Sequence, residues 1–140
     1  MLGTFSAMEV AASGLSAERA RMNTVASNLA NARTTRTADG GPYKRLDPVF
    51  QSVPLVKGNL ASNSVSLVRV RAIQEDTRDP MLVHEPGHPD ADPQGYVKYP
   101  NVNVVEEMVN MMTASRAYEA GVTSLESIKT MARSALQIGR

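Results

Sequence analysis

His84, Glu85 and His88 stand in the pattern H-E-x-x-H, the set with which a zinc hydrolase grips its metal through two imidazoles and keeps a carboxylate beside it as base. That chemistry needs a helix, because only i and i+4 on one helical face aim both rings at a single ion. Pro86 and Gly87 fill the interior of the required helix and Pro89 follows it. The spacing therefore predicts a turn carrying two solvated histidines. Asp90, Asp92 and Gly95 begin like a calcium loop, but Asn101 stands where the closing bidentate Glu is needed and Pro93 interrupts the loop. Ordinary turn chemistry explains them. No glycine-rich phosphate loop, nucleophile elbow or Cys/His pair occurs, so no catalytic, cofactor-binding or metal-binding residue is assigned. Arg19, Arg21, Arg33 and Arg36 lack interleaved aromatic residues and read as a solvated face, not a nucleic-acid site.

The elements that would have to position any chemistry follow from composition. In 140 residues there are 15 Lys plus Arg against 14 Asp plus Glu, a net charge of +1 that gives no footprint for nucleic acid or an anionic membrane. Aromatic residues make up 4%, with no Trp, while eight Met and many Ala carry much of the 42% apolar content, so packing relies on small and pliable side chains. The absence of Cys excludes disulfides and thiolate chemistry. No apolar run reaches membrane-span length, and neither the charges nor the apolar content of the first residues fit a Sec signal.

All eight prolines lie between Pro42 and Pro100. An interior proline costs a helix about 3 kcal/mol, so long helices are expected at the two ends and none in the middle. Met8, Leu15, Met22 and Leu29 recur every seven residues with Val25 between them, a stripe interrupted at Glu18 and Arg19. A helix is predicted from about residue 5 to about residue 29, with Ser6 and Glu9 as a capping box and Asn28, Asn31, Thr34 and Thr35 ending it. At the other end Asn103 and Glu106 supply an N-cap and an acidic first turn. Val104, Met108, Met111, Tyr118, Val122, Leu125, Ile128, Ala132 and Leu136 then form one three-four stripe. Each helix is read as one apolar seam with a polar back. Between them, Val68 to Arg71 alternates apolar and charged residues, and Tyr43 to Phe50 and Tyr96 to Tyr99 are short β-like stretches. Turns are expected at Asp39 to Pro42, near Gly58 and at Glu85 to Gly87.

Several stretches carry a resemblance. Residues 24 to 36, with Ser27, Asn28, Ala30 and Asn31 at their centre, resemble the run that closes the first helix of bacterial flagellar axial proteins. Gly40 to Tyr43, Glu85 to Asp92, Gly95 to Val97, and the stretch from Pro100 through Asn101, Asn103 and Glu107 to Arg116 and Tyr118 are similar to the proximal-rod branch of that family. Arg33 and Gly121 depart from the usual pattern, which commonly has Asn at both places. The resemblance implies a mainly α fold with a small β-rich insertion, its long N- and C-terminal helices paired as a coiled-coil-like hairpin. It implies a division into residues 1–36 and 101–140 as axial core and 37–100 as a Pro-rich β/loop middle. It also implies a structural rod subunit of the flagellar basal body in the periplasmic space, exported by the flagellar type III apparatus without a cleaved signal and transmitting torque. The implied partners are FlgB, FlgF, FlgG, the rod-base adaptor FliE and copies of the chain itself.

On that reading the assembly surface consists of Met8, Leu15, Met22, Val25, Leu29, Met108, Met111, Tyr118, Val122, Leu125, Ile128 and Leu136. Two other classes compete with it. A metal-dependent hydrolase would need a helix through residues 84–88, and a soluble helical adaptor would regulate motility from the cytoplasm.

Overall fold

The computed structural model describes residues 2–55 and 65–138; the turn expected near Gly58 lies outside them. Helix α1 spans Leu2–Ala30, strands β1 to β4 span Leu46–Pro54, Ser66–Glu75, Met81–His84 and Tyr96–Tyr99, and helix α2 spans Val104–Ile138. Proline-free ends make helices, and the middle, where proline excludes a helix, makes short two-stranded sheets in which Pro48 and Pro54 are tolerated on an edge strand. Because α1 already begins at Leu2, Ser6 lies within the helix and the expected capping box is not its start. Asn103 does cap α2, its Oδ1 accepting from the backbone NH groups of Val105 and Glu106 at 3.1 and 3.3 Å.

The helices pack antiparallel: Leu15 meets Gly121, Arg21 Nη2 donates to Asn110 Oδ1 at 3.5 Å, and Asn28 meets Glu107. At 29 and 35 residues they extend about 43 and 52 Å, so the last turns of α2 run past the start of α1. Strands β1 and β2 form an antiparallel pair with a bulge between Val49 and Phe50 that packs on α1. Strand β2 is longer than its four-residue alternation predicts, and β3, whose composition gave no signal, pairs with β4. Residue Gly95, at φ 83°, closes the turn before β4, where an L side chain is strained.

The apolar core is small. Among the described residues its buried members are Ala17, Val25, Val97, Val102 and Ala114, whereas the largest fully buried side chain is Glu107.

Candidate assembly interface

The end of α1, the start of β1 and the start of α2 meet at a polar joint. Asn28 is 0% exposed and uses its whole hydrogen-bonding capacity. Its Nδ2 donates to the Leu46 carbonyl at 2.9 Å and to Glu107 Oε2 at 3.0 Å. Its Oδ1 accepts from the Leu46 NH at 2.8 Å and from the Tyr43 hydroxyl at 3.0 Å. Asn28 thus supplies both bonds of one more strand residue to β1 and ties that strand to α2. Glu107, 1% exposed, accepts from Arg45 Nε at 2.8 Å on its other oxygen. Burial works against the Arg45 charge, but the hydrogen bond and charge of Glu107 outweigh it and raise the guanidinium pKa. Ser27 shares a 3.2 Å hydrogen bond with Tyr43, and Asn31 bonds the Ser27 carbonyl and accepts from Thr34, holding the chain as it leaves α1. Removing either partner of a buried ion pair leaves the other charge without compensation.

The residues expected as one assembly surface divide into two sets. Val25 is buried, and Met8, Leu15, Met22, Leu29, Met111, Tyr118, Val122, Leu125 and Ile128 are half-buried. Leu15 crosses to Gly121, which places the hairpin's own seam among them. Met108 and Leu136 are exposed. The single-seam reading of α2 is therefore wrong for its first three turns. Val104, Val105, Met108, Val109 and Met112 fall within about 140° of helix surface, centred about 120° round from Glu107, Met111 and Ala114, and all are exposed, Val105 by 70%. Two faces arise because the expected i, i+4 stripe is shadowed by a second one offset by a residue. Leu136 keeps the inward phase but lies past the start of α1.

Of the family-motif residues, Ser27, Asn28, Asn31, Asn103 and Glu107 belong to the joint or its cap. Asn101 Nδ2 reaches the Arg78 carbonyl at 3.4 Å. Ala30 is exposed at the end of α1, Arg116 is exposed on the outer side of α2, and Tyr118 is half-buried. Arg45 and the Leu46 backbone carry no periodic signal in the sequence. Val105, Val109 and Met112 do carry one, in their i, i+4, i+7 spacing.

The histidine pattern has no helix. His84 ends β3, Glu85 accepts from the Tyr99 hydroxyl at 2.9 Å, and His88 Nδ1 accepts from the Asp90 NH at 3.1 Å. The two imidazoles face different tyrosines, Tyr96 and Tyr99, so they do not converge as a hydrolase requires. Asp92 Oδ1 accepts from the NH groups of Gln94 and Tyr96 as a turn cap, and Asp90 accepts from Thr35 Oγ1 at 2.8 Å, latching the β3–β4 hairpin to the segment after α1.

The two ends match known families: residues 8–36 the flagella basal body rod protein family, and residues 94–138 the C-terminal family of flagellar basal body rod FlgEFG proteins. Over nearly its whole length the chain is similar to curated flagellar basal-body rod proteins FlgC. It is 44% identical to that of Borreliella burgdorferi over 98% of each chain and 45% identical to that of Aquifex aeolicus over 92% of each. With the Bacillus subtilis protein the identity is 39%, over 97% of this chain and 98% of the relative.

Proposed function

From the premise that the chain belongs to the FlgC family of flagellar basal-body rod proteins, we propose that this structural rod subunit assembles through the outward apolar face of α2 together with the overhanging turns around Leu136. The observation that carries this reading is that Val105, Met108, Val109 and Met112, 53–70% exposed, form one face that the chain's own fold leaves uncovered. Burial at roughly 25 cal/mol per Å2 makes such a face the largest energy source available for association. The polar joint sets the angle at which the face is presented, since it fixes α2 against both α1 and β1.

Residues 1–36 and 101–140 serve as axial core and residues 37–100 lie outward of it, with the first residues of β1 locked into the core by Asn28 and Arg45. The subunit is placed in the proximal rod within the periplasmic space, reached through the flagellar type III export apparatus, where it joins FlgB, FlgF, FlgG, FliE and its own copies and transmits torque. It has no catalytic role. The resemblance to rod proteins supports these assignments, and no helix among the described residues is long and apolar enough to cross a membrane.

Val109→Asp tests the surface. Because Val109 is 57% exposed, the variant folds and is exported, yet cells build no rod and do not swim. Normal hook-basal bodies containing the variant would refute the assignment.

A further inference from the structure

Two hollows of about 360 and 470 Å3 adjoin on the surface formed by the chain after α1, the segment after β2 and the β3–β4 hairpin, and Gly41, Pro42 and Lys98 line both. Each has the size of a small-ligand site, roughly 300–1,000 Å3. Gly40 and Gly41 hold φ at 79° and 100°, where an L side chain is strained, and a Cβ added to either meets nothing within 4 Å. The rim between the hollows is thus bare backbone with open space above it, and an extended ligand can cross it.

Each hollow presents one tyrosine and one uncommitted carboxylate. Tyr96, 44% exposed and held by a T-shaped contact with His84 at 5.1 Å, lines the first with Asp92. Tyr43, its hydroxyl anchored on Asn28 Oδ1 at 3.0 Å, lines the second with Asp79. Asp92 spends Oδ1 on its own turn and leaves Oδ2 without a hydrogen bond, and Asp79 is exposed with no ion pair among the described residues. Lys98, equally exposed and unpaired, stands where the hollows meet. The other charged side chains of the lining close on one another, Arg36 with Asp90, Lys44 with Glu75 and Arg78 with Asp76. The surface therefore repeats ring and acceptor on either side of one donor and carries almost no net charge. None of Tyr96, Lys98 and Asp79 serves the polar joint or the apolar faces of α2.

A polyanion or polycation gains nothing from such a balance. A proline-rich peptide needs apolar slots, and few of its backbone groups can donate to the carboxylates. A pyranose has an apolar C–H face that stacks on a tyrosine ring and a rim of hydroxyls, each able to donate to a carboxylate and to accept from a lysine. Resting on the rod reading above, which puts the chain in the periplasmic space, we propose that this trench binds a stretch of the glycan strand of the cell wall, with one sugar on Tyr96, another at Tyr43 and Lys98 donating to the oxygens between them. The β-rich middle of the subunit makes this contact, leaving the helices to the rod.

The test titrates isotope-labelled full-length protein with chitohexaose, a soluble neutral stand-in for the strand, and follows backbone amide shifts. Shifts are expected at residues 40–43 and 96–98 and not in α2, with an affinity that changes less than about twofold between low and high salt. Tyr96→Ala and Lys98→Met each weaken binding about tenfold with the rest of the spectrum unchanged, whereas Lys129→Met, exposed on α2, binds as the parent does. Co-sedimentation with purified cell-wall sacculi ranks the variants in the same order. No shift at these residues, shifts that survive both substitutions, an affinity that collapses in salt, or tighter binding of a proline-rich peptide at the same residues would each overturn the glycan site. If the parent protein is found in basal bodies but binds no chitohexaose, the site falls and the rod reading stands. Binding by a protein that never enters basal bodies would support the site and refute the rod reading.

Discussion

Asn28→Asp is nearly isosteric, yet it removes both donors at the centre of the joint. The Leu46 carbonyl and Glu107 Oε2 lie 2.9 and 3.0 Å from Nδ2; the Asp oxygen that replaces it carries at most one proton, which is shared with Glu107, and the carbonyl is left facing an acceptor. The orphaned carbonyl costs about 1–3 kcal/mol. A second carboxylate beside that of Glu107, at a position with no solvent exposure, cannot ionise alongside it, so the folded variant retains a proton that the unfolded chain releases above pH about 4. Holding that proton costs about 1.4 kcal/mol per pH unit above the unfolded value, at most about 5 kcal/mol at pH 7.5 and about 1 kcal/mol at pH 4.5. The sign follows: because the folded variant binds more protons, its stability falls as pH rises, and the gap to the parent protein widens. Urea melts followed by circular dichroism at the two pH values measure that gap. A domain of ordinary stability, about 5–15 kcal/mol, would be brought near unfolding at neutral pH and partly rescued by acid. A gap that is below about 1 kcal/mol, or the same at both pH values, would refute the view that Asn28 donates within a closed, buried network.

Three further outcomes are expected. Leu136→Asp changes the melt of the purified protein by no more than about 0.5 kcal/mol, since Leu136 is 59% exposed, but the cells lack hooks and do not swim; swimming cells would remove the end of α2 from the interface. Gly95→Ala destabilises the β3–β4 hairpin by about 1–2 kcal/mol, because φ is 83° and the new Cβ would stand 3.1 Å from His84 Nε2, and an unchanged melt would contradict this. Hydrogen bonds from Arg78 hold the Asp76 carboxyl down to about 2, so the stabilisation it gives is present above pH 4 and lost as pH falls through 2. Acid titrations of the parent and of Arg78→Ala should differ above pH 4 and converge only below pH 2.

The sequence by itself determined which parts of this chain are helix. Interior proline is intolerable to a helix wherever it falls, and its confinement between Pro42 and Pro100 leaves two ends with three-four periodicity, so α1, α2 and the Asn103 cap were legible from local rules. The rejection of a helical metal site at His84–His88 rested on the same rule, acting through Pro86. Ser6 misled because a capping box is a local signal that a longer helix can absorb. Only the tertiary structure decided what the stripes are for. Which apolar positions of α2 face α1 depends on the rotation of one helix about another, and that rotation is set by contacts across 79 and 62 residues of chain, Asn28 with Glu107 and Arg45 with Glu107. Neither has a sequence period, because a single polar side chain aimed at a single partner repeats nowhere. The rotation they impose turns Leu15, Val25 and Ala114 inward and leaves Val105, Val109 and Met112, equally apolar and equally spaced, open to another molecule.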